Sequence, residues 1–139
     1  MLLKPENFKG RIMMLDYYWK EDLPMSNQEF SKAVFDICEN AIACSKLKIV
    51  HKNMCLLPID GDTSEEGSTS FFSLDSSHCS SHIYWKSRLM ALDVFGCSTD
   101  DDYGMIVNTI DEKLKVLTGG LIVKCFYGSQ ARFHFPTER

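Results

Sequence analysis

The chain has 139 residues, 45% hydrophobic and 24% charged, with 15 basic against 19 acidic side chains and a formal net charge of −4. That balance is ordinary for a globular protein and excludes a charge-rich disordered chain; it also lacks the basic stripe of a nucleic-acid binder. A single domain over residues 1–139 is the expectation at this length.

No apolar run approaches the roughly 18 residues of a membrane span, and the start, Met1 to Glu6, lacks the apolar core of a secretory signal. The six cysteines are scattered without a CxxC pair. Reduced thiols in a cytoplasmic protein, with no structural metal and no membrane partner, are the expectation.

In chain order, Arg11 to Trp19 reads as a buried strand. After Pro24, Ser26-Asn27-Gln28-Glu29 forms a capping box. Phe30, Ala33, Val34, Ile37, Cys38 and Ala41 follow at helical spacing, which predicts an amphipathic helix from Ser26 to about Ser45. A second strand is expected from Leu47 to Leu57, then an exposed loop from Asp60 to Thr69. A third strand covers Ser70 to Leu74 and gives way to a tight polar stretch, Ser76 to Ser81. A fourth runs from Leu89 to Phe95, with Leu92 and Val94 on one face and Asp93 on the other. Asp100, Asp101 and Asp102 suit a helix start, and Ile106, Val107, Ile110, Leu114 and Leu117 give that second helix its apolar stripe. Gly119-Gly120 ends it. Leu121 to Tyr127 is a further strand, and Ala131 to Phe135 a short last one. Two helices packed on one face of a largely antiparallel sheet give an α+β fold, a two-layer sandwich.

Nucleophile and proton chemistry gathers between Ser77 and Cys97. Taken singly, a serine after a strand is more often a turn residue, and a buried histidine more often a hydrogen-bonded structural one. A free cysteine is usually a small core hydrophobe. His78, Cys79 and His82 lack a fourth ligand at a familiar spacing, which argues against zinc.

The order and spacing resemble those of the S-adenosylmethionine decarboxylase family, in its short bacterial form. That family carries a run similar to Glu-Ser-His-x-Ser-x-His-Thr-x-Pro-Glu and then Asp-Val-Phe-x-Cys-Gly. Here the runs are Ser76-Ser77-His78-Cys79-Ser80-Ser81-His82-Ile83-Tyr84-Trp85-Lys86 and Asp93-Val94-Phe95-Gly96-Cys97-Ser98, and the gaps between serine, histidine and cysteine match without insertion. The Gly10-Arg11 strand, the first helix and the second strand fall in the family's order.

The resemblance implies a proenzyme cleaved between Ser76 and Ser77, with Ser77 becoming a pyruvoyl cofactor that forms a Schiff base with an amino-acid-type substrate. It implies that His82 is the acid/base of processing and Cys97 the proton donor of turnover. It further implies a homodimer of processed chains with sites shared between subunits, and a place in polyamine (spermidine) synthesis. Three departures bear on these roles. The glutamate before the cleaved serine is Ser76, with Asp75 one residue earlier. The nucleoside-binding run ends in Lys86, which cannot accept hydrogen bonds from a ribose diol, although Tyr84 can still stack on adenine. The second adenine platform is Leu57. The alternatives are therefore a pyruvoyl-dependent ornithine or arginine decarboxylase, and a non-processing relative serving as a binding or regulatory subunit.

Overall fold

The computed structural model describes residues 10–58, 66–96 and 100–132. Its elements are β1 (Gly10–Tyr18), α1 (Asn27–Ala43), β2 (Ile49–Leu57), β3 (Gly67–Leu74), β4 (His78–Tyr84), β5 (Leu89–Gly96), α2 (Asp100–Leu117) and β6 (Val123–Arg132). The strands form one six-stranded sheet in the order β2-β3-β4-β5-β1-β6, every pairing antiparallel. The two helices cover one face, as the α+β reading requires.

The capping box starts α1. Ser26 Oγ accepts from the Glu29 backbone N–H at 3.1 Å, satisfying one of the free amides of the first turn. Phe30, Val34, Cys38 and Ala41 then face the sheet, fully or nearly fully buried. Ile106, Ile110 and Leu114 do the same for α2, against Met13, Leu15, Leu92 and Val94 of the central strands. A second anchor fixes the start of α1: Asn27 Nδ2 donates to the Gly67 carbonyl at 3.0 Å, and Ser31 donates to Asn27 Oδ1 at 3.0 Å. Close by, Trp19, Phe30 and Trp85 make a three-ring cluster with centroids 5.4–6.0 Å apart. Gly119 and Gly120, at φ 61° and 84°, end α2 in the left-handed conformation that only glycine adopts without strain.

Three sequence expectations need correction. The stretch Ser76 to Ser81 is not a turn beyond Ser77: His78 opens a central strand. Its small residues tolerate burial because Ser81 shares a hydroxyl hydrogen bond with Ser70 on β3. The loop reading for residues 60–69 fails at its end, since Gly67 to Thr69 belong to β3, held by Asn27; residues 59–65 lie outside the described residues. The two short C-terminal strands are one, β6, running to Arg132. It continues through Gly128, which pairs with Met14 of β1, and the Phe126 ring lies 2.9 Å from where a Cβ would stand there. The rest of the expected last strand, residues 133–135, lies outside the described residues.

A polar network closes the helix layer against β1 and β6. The buried Tyr17 hydroxyl donates to Asp111 Oδ1 on α2, and Lys124 Nζ of β6 donates to Asp111 Oδ2 at 2.6 Å. Burial, and then the hydrogen bond and charge of Asp111, hold the Tyr17 phenol well above its ordinary range. A phenol with a raised folded pKa stabilises the fold fully below the unfolded value of about 10, and that stability is lost as pH rises through the folded value. Unfolding free energy should therefore fall above about pH 10, Tyr17 contributing up to about 1.4 kcal/mol per pH unit. Urea unfolding of Tyr17→Phe across pH 9 to 11.5 should show a shallower fall than the wild type; equal slopes would remove Tyr17 from the alkaline transition.

Candidate active site

Alternation along β4 sorts its residues by chemistry. Cys79, Ser81 and Ile83 are buried beneath the helices, while His78, Ser80, His82 and Tyr84 point to the opposite face, which neither α1 nor α2 covers. His78 and His82 therefore share a face from which Cys79 is excluded, so the three cannot ligate one ion. Cys79 is also no nucleophile. A hydrogen bond with Cys38, and then burial, push its thiol well above the ordinary value and keep it neutral.

Ser77 sits at the end of the β3–β4 hairpin, immediately before β4. The Leu74 N–H donates to the Ser77 carbonyl at 2.9 Å, closing the hairpin, and the Asp75 N–H donates to the Lys48 carbonyl at 3.1 Å. Among the described residues, Ser77 Oγ is the buried side-chain polar atom with no hydrogen-bond partner. Leaving such a group unpaired commonly costs about 1–3 kcal/mol, and in a native structure it calls for an explanation. Ser76, at the exposed hairpin tip, donates its backbone N–H to Asp75 Oδ1 at 3.1 Å. The carboxylate missing from position 76 is thus present one residue earlier, turned onto the backbone.

His82 lies five residues along β4 from Ser77, about 16 Å at strand rise. The structure does not bring these two together within one chain. Instead, His82 Nδ1 pairs with Thr69 Oγ1 of β3 at 3.1 Å, and its ring stacks towards Tyr84 at 6.4 Å. Thr69 is the functional-site residue that sequence reasoning missed. It fell at the end of a presumed loop, and only the register Thr69↔His82 places it beside the imidazole.

Tyr84 is half exposed, on a row with Leu57, Gly67 and Leu89. Lys86 is exposed in the β4–β5 turn just beyond. Arg88 braces that turn by donating to the Lys20 carbonyl and to Asp22 Oδ1, each at 2.6 Å. Leu57, Tyr84 and Lys86 thus gather with His82 at one end of the open face, and Ser77 stands at the other. Cys97 lies outside the described residues; the chain leads to it from the Ser77 end, where Phe95 is paired with His78.

A family model described as S-adenosylmethionine decarboxylase matches residues 13–118. A crystal structure of the adenosylmethionine decarboxylase from Aquifex aeolicus VF5 is similar in fold, with a TM-score of 0.63 at 16% sequence identity, covering 94% of each chain. No curated protein matches the chain.

The Thr69 contact is open to a direct check. In Thr69→Val, which keeps the shape but removes the hydroxyl, the His82 Nδ1 resonance should move in a 15N imidazole spectrum. That of His78, which has ring neighbours on either side, should stay. An unmoved His82 signal would show that the pair does not form in solution.

Proposed function

The chain belongs to the S-adenosylmethionine decarboxylase family, and from that premise we propose that it is a self-processing pyruvoyl-dependent decarboxylase whose leading substrate is S-adenosylmethionine. The observation that carries this reading is the buried, unpartnered hydroxyl of Ser77 at the position matching the family's cleaved serine. A hydroxyl engaged in no other hydrogen bond is free to attack the adjacent Ser76 carbonyl, and proximity supplies much of the acceleration. The attack moves the acyl group of Ser76 from nitrogen to oxygen and gives an ester. Removal of the residue 77 Cα proton then expels the Ser76 carboxylate, leaving a dehydroalanine. Its hydrolysis releases ammonia and leaves a pyruvoyl group starting the chain 77–139.

The residues present fit that group. Ser77 provides its atoms, and the Leu74 N–H holds the carbonyl that follows it. Once formed, the group supplies an electron sink for loss of the substrate carboxylate as CO₂. Thr69 holds the ring orientation of His82, the proposed proton carrier of processing. Cys97 is the proposed proton donor to the product carbon, and Tyr84 the proposed stacking surface for adenine.

Separation of Ser77 from His82 supports a shared site. A second copy laid across the open face by a two-fold axis, with strands antiparallel, would bring the His82 end of one chain to the Ser77 end of the other. Phe71, Tyr84, Leu89 and Phe126, each between 42% and 51% exposed on that face, give the apolar surface such a homodimer would bury.

Two experiments test this reading. Purified protein should resolve by intact mass into residues 1–76 and a pyruvoyl-started 77–139, and Ser77→Ala should stay whole. Neither Ser77→Ala nor His82→Ala should cut alone, whereas their co-expression should restore cutting of the His82→Ala chain by the other chain's imidazole. A wild type that stays whole would rule out the pyruvoyl reading; failed complementation with an active wild type would rule out the shared site.

For the substrate, Lys86 stands where a carboxylate would hold a ribose diol. A hydrogen-bonding mismatch of this kind costs about 1–3 kcal/mol, so Lys86→Glu should lower KM for S-adenosylmethionine roughly tenfold. Release of labelled CO₂ from S-adenosylmethionine, ornithine and arginine at matched concentrations checks this. Preference for either amino acid would promote the smaller-substrate alternative, which Leu57 and Lys86 also suit.

A further inference from the structure

Cutting the backbone before Ser77 creates a chain end in the middle of a sheet. In the intact chain the hairpin holds Ser77 from both sides. After the cut, residue 77 begins a free strand, and strand ends fray unless something ties them down. The reacting carbonyl sits on that end, where a displacement of 1 Å can cost about a hundredfold in rate.

The residue next to the cut has an arrangement suited to this problem. The His78 ring lies between two aromatic rings on the open face: Phe71 of β3, stacked at 5.8 Å and 22°, and Phe95 of β5, tilted at 5.4 Å and 38°. Phe71 falls in the 1–76 fragment and Phe95 in the 77–139 fragment, so the sandwich joins the two products of cleavage on either side of the new end. The Leu74 N–H to Ser77 carbonyl bond, at 2.9 Å, also crosses between the fragments.

We propose that Phe71, His78 and Phe95 form a clamp that holds the newly cut end of β4 in register, with His78 a positioning residue acting through its ring rather than through a proton. The proposal rests on the processing reading above. Before the cut the covalent hairpin performs the same task, so the clamp matters to turnover and little to self-cleavage. Phe71 is 42% exposed and His78 is only partly buried, so the fold does not depend on either ring.

The test uses the full chain and the variants His78→Ala and His78→Phe. Cleavage is followed by gel, decarboxylation is expressed per pyruvoyl group, and amide hydrogen exchange is measured over residues 77–84 of the processed protein. His78→Ala should cleave within about twofold of the wild type. It should lose about tenfold in kcat, the effect two ordinary aromatic contacts amount to, and exchange faster over 77–84. His78→Phe should restore both turnover and protection.

Normal kcat and protection in His78→Ala would overturn the clamp. A His78→Phe variant as impaired as His78→Ala would overturn it too, since the imidazole itself would then be at work. Loss of cleavage in His78→Ala would show that the ring acts before the cut, against the proposal. A wild type that never cleaves removes the chain end and defeats this inference together with the pyruvoyl reading, whereas a cleaving wild type leaves the variants to decide the clamp alone.

Discussion

Side chains on a strand alternate between two faces, and β4 has little freedom in which set goes where. Ile83, at 2% exposed, and Cys79, at 1%, belong to the core beneath the helices. A slip of one residue would bury two imidazoles there and expose an isoleucine. Neighbouring contacts pin the register. Ser70 and Ser81 share a hydroxyl hydrogen bond on the buried side, and Gly67 lets the Ile83 carbonyl approach so closely that an alanine Cβ would lie 1.9 Å from its oxygen. The placement of His78, His82 and Tyr84 on the open face is thus a consequence of packing on the other face.

That constraint shapes the chemistry through distance. Ser77 and His82 keep their spacing because Ser77 directly precedes β4 and His82 lies within it, and a strand cannot fold back on itself to bring them together. About 16 Å separates them, far beyond the 2.6–3.2 Å over which a base takes a proton. In the proposed roles, the two residues would have to come from different chains. The open face is suited to receive one: antiparallel sheets do present a solvated face, but this one carries Phe71, Tyr84, Leu89 and Phe126 among its polar groups.

Legibility in the sequence follows the strength of the local signal. Helix α1 was readable to within two residues, because a capping box and an apolar stripe agree and the structure uses both. The alternation Leu92, Asp93, Val94 was readable for the same reason. β4 was not, because serines at 76, 77, 80 and 81 carry turn chemistry, and what overrides it is a cross-strand hydroxyl pair invisible in one segment. Thr69 was lost similarly: it lies 13 residues before His82, and only sheet register makes them neighbours. Ser77 and His82 were found by a spacing, yet the spacing alone did not say that the strand holds them apart.

The departures from the family pattern also sort by place. Leu57 and Lys86 lie with Tyr84 at the turn end of the open face, beside the row that crosses Gly67. Ser77, Leu74 and Asp75 lie at the hairpin end. These side chains are peripheral: Lys86 is exposed, and Leu57 closes the outermost strand β2, which meets the hairpin end only where Ile49 pairs with Leu74. Changes at the turn end can therefore accumulate without moving the hairpin that holds Ser77. Ser76 is the exception, sitting at the hairpin itself, but its side chain is exposed and its N–H is already held by Asp75. The fold is indifferent to what side chain stands there. In the proposed processing its effect would fall on its own carbonyl, the group the Ser77 hydroxyl would attack.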